Sequence, residues 1–243
     1  MTNDLTLIIG ANSEIAKALA SVICDEGQLI VISRDVSFYQ HETFKSVMCL
    51  SVPDYSEAAI AEAASQVLGE MKDSVIRRVF VCHGVLHNDA CFPERKLEDL
   101  SADSFTQIMA SNAITPLLWL KYLVPLVRSK HSCIFTFFSA RVGSIGDNYL
   151  GGWYSYRASK AALNMLLKSA AIELARRAKN VKLISFHPGT TDSPLSKPFA
   201  KNVPSAKLFT PHFVAEKLLE IVKNSSVNGE LSYVDWQGKH IPW

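Results

Sequence analysis

The amino-acid sequence predicts a single α/β domain, a doubly wound parallel sheet covered by helices on both faces as a three-layer sandwich. Three observations carry that expectation. Apolar runs of strand length alternate with longer helical patterns from end to end. No repeat, low-complexity tract or linker divides the 243 residues. The composition, 48% hydrophobic and 20% charged, is that of a chain with enough apolar surface for a full core.

The elements follow in order. Leu5 to Ile9 is a short apolar run and reads as the first strand, the alanine-rich stretch Glu14 to Cys24 as a helix, and Gln28 to Ile32 as the next strand. Further strands are expected at Ser46 to Leu50, Arg78 to Cys82, Cys133 to Phe138, Val181 to Phe186 and Leu231 to Val234. Helical patterns near 56–70, 103–128, 155–178 and 211–223 lie between them. Such alternation implies parallel strands, which must be covered on both faces and bind ligands beyond their carboxyl ends. Pro188 to Pro211 holds five prolines and little helical pattern, so a lid is expected near 193–208 of one domain spanning 1–243.

Charge and cysteine usage exclude several partners. The 25 basic and 23 acidic residues leave a net charge of +2, too small a field to favour nucleic acid or an anionic membrane. The longest apolar stretch, Ile114 to Val127, is interrupted by Lys121 and two prolines and falls short of the roughly 20 residues of a membrane span. Met-Thr-Asn-Asp offers no basic leader, so a cytoplasmic location is expected. Cys24, Cys49, Cys82, Cys91 and Cys133 are irregularly spaced without a CxxC pair, which fits a reducing compartment and indicates neither disulfides nor zinc. His87, His187 and His212 show no metal spacing and are expected to be solvated or packed.

Directly after the first strand, Gly10-Ala11-Asn12-Ser13-Glu14-Ile15-Ala16 opens a helix whose free amides would receive a pyrophosphate. Gly10 alone survives of the three glycines of a dinucleotide fingerprint, and an ordinary turn capped by Asn12 or Ser13 is the plainer alternative. The second strand ends in Ser33-Arg34-Asp35, where an adenosine ribose would be read. Ser33 does not repel a 2′-phosphate and the Arg34 fork would clamp it, which favours NADP over NAD; an exposed Arg-Asp turn is the alternative.

Tyr156-Arg157-Ala158-Ser159-Lys160 places a tyrosine and a lysine one helical turn apart on one face. With 7 tyrosines in the chain that spacing alone is cheap, and context gives it weight. The run Gly151 to Asn164, together with Gly10-Ala11-Asn12, Cys82-His83-Gly84, Asn112 and Pro188-Gly189-Thr190-Thr191-Asp192 in this order, closely resembles the short-chain dehydrogenase/reductase family. Within it, the chain looks most like the C-factor and sniffer-like carbonyl reductase branch, whose C-termini the ending Asp235 to Trp243 also resembles.

The resemblance covers essentially the whole chain and implies a Rossmann-like fold, NADPH as cofactor and a small carbonyl substrate. Hydride transfer to a carbonyl leaves an alkoxide that needs a proton donor, and Tyr156 would be that donor. A phenol, ordinarily near pKa 10, needs nearby positive charge to work at neutrality, which Lys160 would supply. By resemblance, Tyr156 and Lys160 also hold the nicotinamide ribose, Asn112 supports a water that links the lysine to solvent, and Ser51 with Val52 lines the adenine. Cys82, His83 and Gly84 would wall the cofactor, Pro188 and Gly189 would turn beneath the nicotinamide, and Thr191 would bond its pyrophosphate or carboxamide. Family members place a serine after the fifth strand, where gapless alignment on Gly143 puts Ala140. Ser139 is the expected substitute, with Ser144 or neither as alternatives. Leu195, Phe199, Leu208 and Trp153 would give an apolar pocket or anchor the loop. The expected activity is reduction of an aldehyde, ketone or quinone by a homodimer or homotetramer. A dinucleotide-binding sensor with weak turnover and a cofactor-free interaction protein are the competing readings.

Overall fold

In the computed structural model, the apolar runs form β1 (Asn3–Ile9), β2 (Gln28–Ser33), β3 (Met48–Ser51), β4 (Ser74–Val81), β5 (Cys133–Phe138), β6 (Val181–His187), β7 (Thr190–Thr191), β8 (Leu208–Phe209) and β9 (Leu231–Asp235). The structure describes residues 3–89 and 91–243, with Asn202 described by its backbone alone; Met1, Thr2 and Ala90 of the expected domain lie outside it. Seven strands make one parallel sheet in the order β3-β2-β1-β4-β5-β6-β9, and β7 pairs with β8 apart from it. The strand order reverses between β1 and β4, so a crevice opens beyond the carboxyl ends of these two strands.

The helices are α1 (Glu14–Ile23), α2 (Glu57–Met71), α3 (Ala102–Met109), α4 (Thr115–Val127), α5 (Tyr154–Arg177) and α6 (Pro211–Lys223). Strand alternation sorts the core into two layers. Leu5, Leu7 and Ile9 pack with Ile60, Leu123 and Leu167 of α2, α4 and α5. Ile8 packs on the other face with Leu19 of α1 and Leu218 of α6. This is the expected doubly wound α/β sandwich, and the main strand and helix ranges lie within a few residues of those read from sequence.

Two differences matter for the site. The long helix expected over 103–128 is broken between α3 and α4 by a π-helical turn at Ala110–Ile114. Pro116 has no N–H to give the carbonyl of Asn112, and the register widens so that the Thr115 amide bonds the Ala110 carbonyl. The proline-rich loop is also more structured than expected. β7 and β8 join its two ends, pairing Thr190 with Leu208 and Thr191 with Phe209, and short 3₁₀ turns at Lys197–Asn202 and Ser205–Lys207 fill the interior.

Close approach of backbone to backbone fixes the turn Arg141–Gly143 against α5. A Cβ at Gly143 would lie 2.8 Å from Lys160 Cβ and 2.9 Å from the Lys160 carbonyl carbon, and main chain cannot swing aside. Gly143→Ala is therefore expected to lower unfolding free energy by roughly 1–3 kcal/mol, read as a lower denaturant midpoint at unchanged m-value.

Candidate active site

The crevice begins at the first turn of α1. Gly10 adopts φ +71°, and a Cβ there would press on the Cys82 carbonyl oxygen at 3.1 Å, so the turns after β1 and β4 meet as closely as a glycine allows. Ser13 is the N-cap, its Oγ accepting from the Ala16 amide at 3.2 Å, while its own amide donates to Gly10 O at the same distance. Among the described residues, the amides of Glu14 and Ile15 have no partner in the chain, which leaves them as the anion-facing donors of the helix end. Glu14 does not oppose that role directly, because its carboxylate pairs with Lys17 at 2.9 Å.

At the far end of the crevice, Ser33 and Ser51 stand side by side on β2 and β3, and the Val52 amide donates to Ser33 O at 3.1 Å. Arg34 is exposed and lies over the ring of Tyr55, 5.2 Å from its centroid. Asp35, the residue that complicates a phosphate site, is already engaged. Its carboxylate accepts from the Ser37 amide at 2.9 Å and from Asn12 Nδ2 at 3.3 Å, and the Ser37 contact holds its pKa below the usual value. His83 packs edge-on against Tyr55 and parallel to Trp119, two neighbours the sequence reading did not include. Burial, with smaller contributions from Lys160 and Arg34, pushes its pKa down to about 3, so the ring is neutral.

Tyr156 and Lys160 rise from the first turns of α5 and are both buried. Lys160 Nζ donates to Phe138 O at 2.8 Å and lies 5.7 Å from the centroid of the Tyr156 ring. Burial pushes Lys160 down to about 7 and the Tyr156 phenol up, so in the protein alone desolvation outweighs any help the lysine gives the phenolate. The side chain of Asn112 makes three hydrogen bonds. Its Oδ1 accepts from the Val85 amide at 2.7 Å, and its Nδ2 donates to Val85 O at 2.8 Å and to Ser159 Oγ at 3.0 Å. The side chain thus ties the segment after β4 to α5 and acts as a positioning residue.

Ser139 lines the cavity next to Ala140, and its hydroxyl is engaged. Strand alternation directs its side chain to α5, where Oγ donates to Asn164 Oδ1 at 2.9 Å beside Ser185 at 2.6 Å. Ser144 accepts from the Asp147 amide through Oγ at 3.1 Å and is not among the residues that line the cavity. The side chain that packs beside Tyr156 is Ala140, together with Leu86. The Ala140 carbonyl accepts from Tyr233 Oη at 2.7 Å, and Arg141 bridges Asp147 at 3.0 Å and Asp235 at 3.1 Å, so β9 braces this segment from behind.

Sequence reasoning also missed Glu94. Trp153 precedes α5 in the left-handed region, φ 53°, and no side chain of its own caps the helix. Glu94 does so from another loop, its buried carboxylate accepting from the Ser155 amide at 3.2 Å and from the Ser155 hydroxyl, while its carbonyl accepts from the Trp153 amide. A carboxylate at a helix N-terminus is favoured by the helix dipole. Because Glu94 lies some sixty positions from Ser155, no local capping signature reveals it.

These pieces enclose a cavity of about 500 Å³ lined by Asn12 to Ile15, Cys82 to Gly84, Tyr156, Lys160 and His187 to Thr191. Phe199 of the loop stacks edgewise on Trp153 at 5.0 Å, and Trp153 in turn meets Tyr156 at 6.2 Å. Among the described residues no group of side chains could hold a metal ion, and all five cysteines are free. A nicotinamide dinucleotide fits the donors present. The Glu14 and Ile15 amides are free, Thr191 Oγ1 and His83 Nε2 are buried without partners, and a Cβ at Gly84 would approach Lys160 Nζ to 3.2 Å.

Comparison with known proteins gives the family. The family model described as enoyl-(acyl carrier protein) reductase matches residues 10–235. The chain belongs to the short-chain dehydrogenase/reductase family. It is 26% identical over 239 residues to a 1-hydroxy-2-glutathionyl-2-methyl-3-butene dehydrogenase of Rhodococcus sp. (strain AD45), covering 98% of each chain. It is 28% identical over 147 residues to the C-signal protein of Myxococcus xanthus, covering 60% of this chain and 83% of that one. The NADPH-bound carbonyl reductase from chicken fatty liver superposes with a TM-score of 0.82 over 100% of both chains at 20% identity, a likeness of fold.

Lys160 gives the site a measurable cost. Folded, the lysine holds its proton with a pKa of about 7 against an ordinary 10.5, so between those values the unfolded chain binds more protons and stability rises with pH. Lys160→Met should therefore raise the melting temperature of the cofactor-free protein near pH 7. The advantage should shrink as pH rises toward about 10, followed by differential scanning calorimetry.

Proposed function

We propose that the chain is an NADPH-preferring oxidoreductase that reduces an aldehyde, ketone or quinone carbonyl to the alcohol, with Tyr156 as proton donor. One observation carries the reading: Tyr156 and Lys160 open onto the same cavity as the first turn of α1 and the turn 187–191. When bound, the reduced dinucleotide supplies a hydride to the carbonyl carbon. The amides of Glu14 and Ile15 receive its pyrophosphate at the positive end of α1. Uncharged Ser33 and the Arg34 fork accept a 2′-phosphate, for which Arg34 exchanges its contact with Tyr55. Lys160 reaches the nicotinamide ribose, and Gly84 leaves room for it. Tyr156 gives its proton to the carbonyl oxygen and is resupplied from solvent along the Lys160 side of the site, with Asn112 holding Val85 and Ser159 in register.

The loop 193–208 acts as the substrate lid, Phe199 closing on Trp153. We place the reaction in a reducing cytoplasm, on the ground that five free cysteines accompany a chain in which no described helix is long and apolar enough to cross a membrane. Ile114, Met165 and Ile172 expose apolar surface along the helices expected to pair in a homodimer or homotetramer. A dinucleotide-binding sensor with weak turnover is the second reading, favoured by Ala140 in place of a hydroxyl; binding of NADPH without turnover of any carbonyl in a broad panel would select it.

Two experiments test the leading reading. Tyr156→Phe is expected to lower kcat by about 100-fold or more in an NADPH oxidation assay while NADPH binding, followed by fluorescence, is retained. Arg34→Asp should shift the ratio of NADPH to NADH affinity by about tenfold toward NADH, measured by paired titrations.

A further inference from the structure

We propose that the side chain of His187 donates to the substrate carbonyl the second hydrogen bond that Ala140 cannot give. The proposal rests on the carbonyl reductase reading above. His187 ends β6, and the Ser139 amide donates to Phe186 O at 2.8 Å, so the end of β6 lies beside the segment that carries Ala140. Ser185, two residues earlier and therefore on the same face, reaches Asn164 of α5 at 2.6 Å. His187 thus rises from the sheet on the side of the helix that carries Tyr156, and it lines the same cavity as Tyr156, Leu86 and Ala140.

Its ring is unspent. Nδ1 is sealed from solvent without a hydrogen-bond partner, and Nε2 has no partner among the described residues. A sealed lone pair is tolerated better than a sealed N–H, so the proton is assigned to Nε2, the nitrogen left for the cavity that His187 lines. Burial first and Arg141 second hold its pKa down to about 4 against the opposing charge of Asp235, so the imidazole is neutral and donates without titrating near pH 7. Of the polar side chains that flank Ala140 in the chain, Ser139 donates to Asn164 and Arg141 to Asp147 and Asp235, while Ser144 does not line the cavity. Leu86, Val142, Trp153 and Phe199 supply apolar wall, in which a fixed donor aimed at a developing oxyanion counts for most. Carbon gains the hydride, oxygen gains the Tyr156 proton, and His187 keeps its own throughout.

The test pairs two positions. His187→Leu is expected to lower kcat about tenfold or more on the best carbonyl substrate while the NADPH Kd stays within about twofold. Ala140→Ser added to His187→Leu should restore most of that loss, whereas Ala140→Ser in the otherwise unaltered protein should change kcat less than about threefold. Wild-type kcat in His187→Leu, or an equal gain from Ala140→Ser in both backgrounds, would overturn the proposal. A second measurement needs no variant and so does not depend on folding of His187→Leu. In the native chain with NADP⁺, nuclear magnetic resonance of labelled histidine should show the His187 Nε2 signal moving when the same carbonyl compound is added, and an unmoved signal overturns the role. An absence of carbonyl turnover in the wild-type protein is a different failure, since it removes the functional reading itself and the proposal with it.

Discussion

A lysine ammonium, 2% exposed, with a single backbone carbonyl as its hydrogen-bond partner is the constraint around which the carboxyl edge of the sheet is arranged. Three chain segments give way to it. Phe138 O at the end of β5 accepts from Nζ, Gly84 after β4 withholds a Cβ that would meet Nζ, and Gly143 withholds one that would strike the Lys160 backbone. Such burial destabilises the charged form, and among the described residues no carboxylate hydrogen-bonds the ammonium to offset it. The arrangement makes sense for a site that completes the environment of Lys160 with a bound ligand. A lysine chosen for stability alone would sit in water.

The position of the Tyr156 phenol depends on this helix too, and α5 is fixed from both sides of its start. Glu94 caps it from the segment after β4, Asn112 reaches Ser159 from the π turn, and Ser159 returns a bond to the Tyr156 carbonyl at 2.8 Å. Tyr233 and Asp235 hold the neighbouring residues 140 and 141 from β9. Tyr156 and Lys160 therefore rest on contacts from the π turn, β5, β9 and a loop, the kind of support that holds side chains to a narrow geometry.

Much of this was legible in the sequence because it was local or ordered along the chain. Strand runs such as Leu5 to Ile9 carry their own periodicity, and Tyr156 with Lys160 gained meaning from Gly10, Gly84 and Pro188 in sequence order. What escaped was set by contacts between distant segments. Glu94 carries no local cap motif for a helix that begins at Tyr154, and the π turn depends on which carbonyl Pro116 fails to serve. Ser139 escaped for the same reason: it lines the cavity, yet its hydroxyl is engaged by Asn164, 25 positions along the chain. His187 read as an ordinary packed histidine because its missing partners are visible only in three dimensions.

The pairing of β7 with β8 closes the lid at its neck, the Asp192 amide adding a bond to Phe209 O at 2.8 Å. What lies between those strands touches the cavity through Leu195, Phe199 and Val203, yet it contributes no strand to the sheet and no helix to either layer. Evolution can therefore rewrite this loop as a cassette. Its length and side chains are free to diverge, altering the wall it gives the cavity, while the neck isolates the carboxyl edge of the sheet from each change.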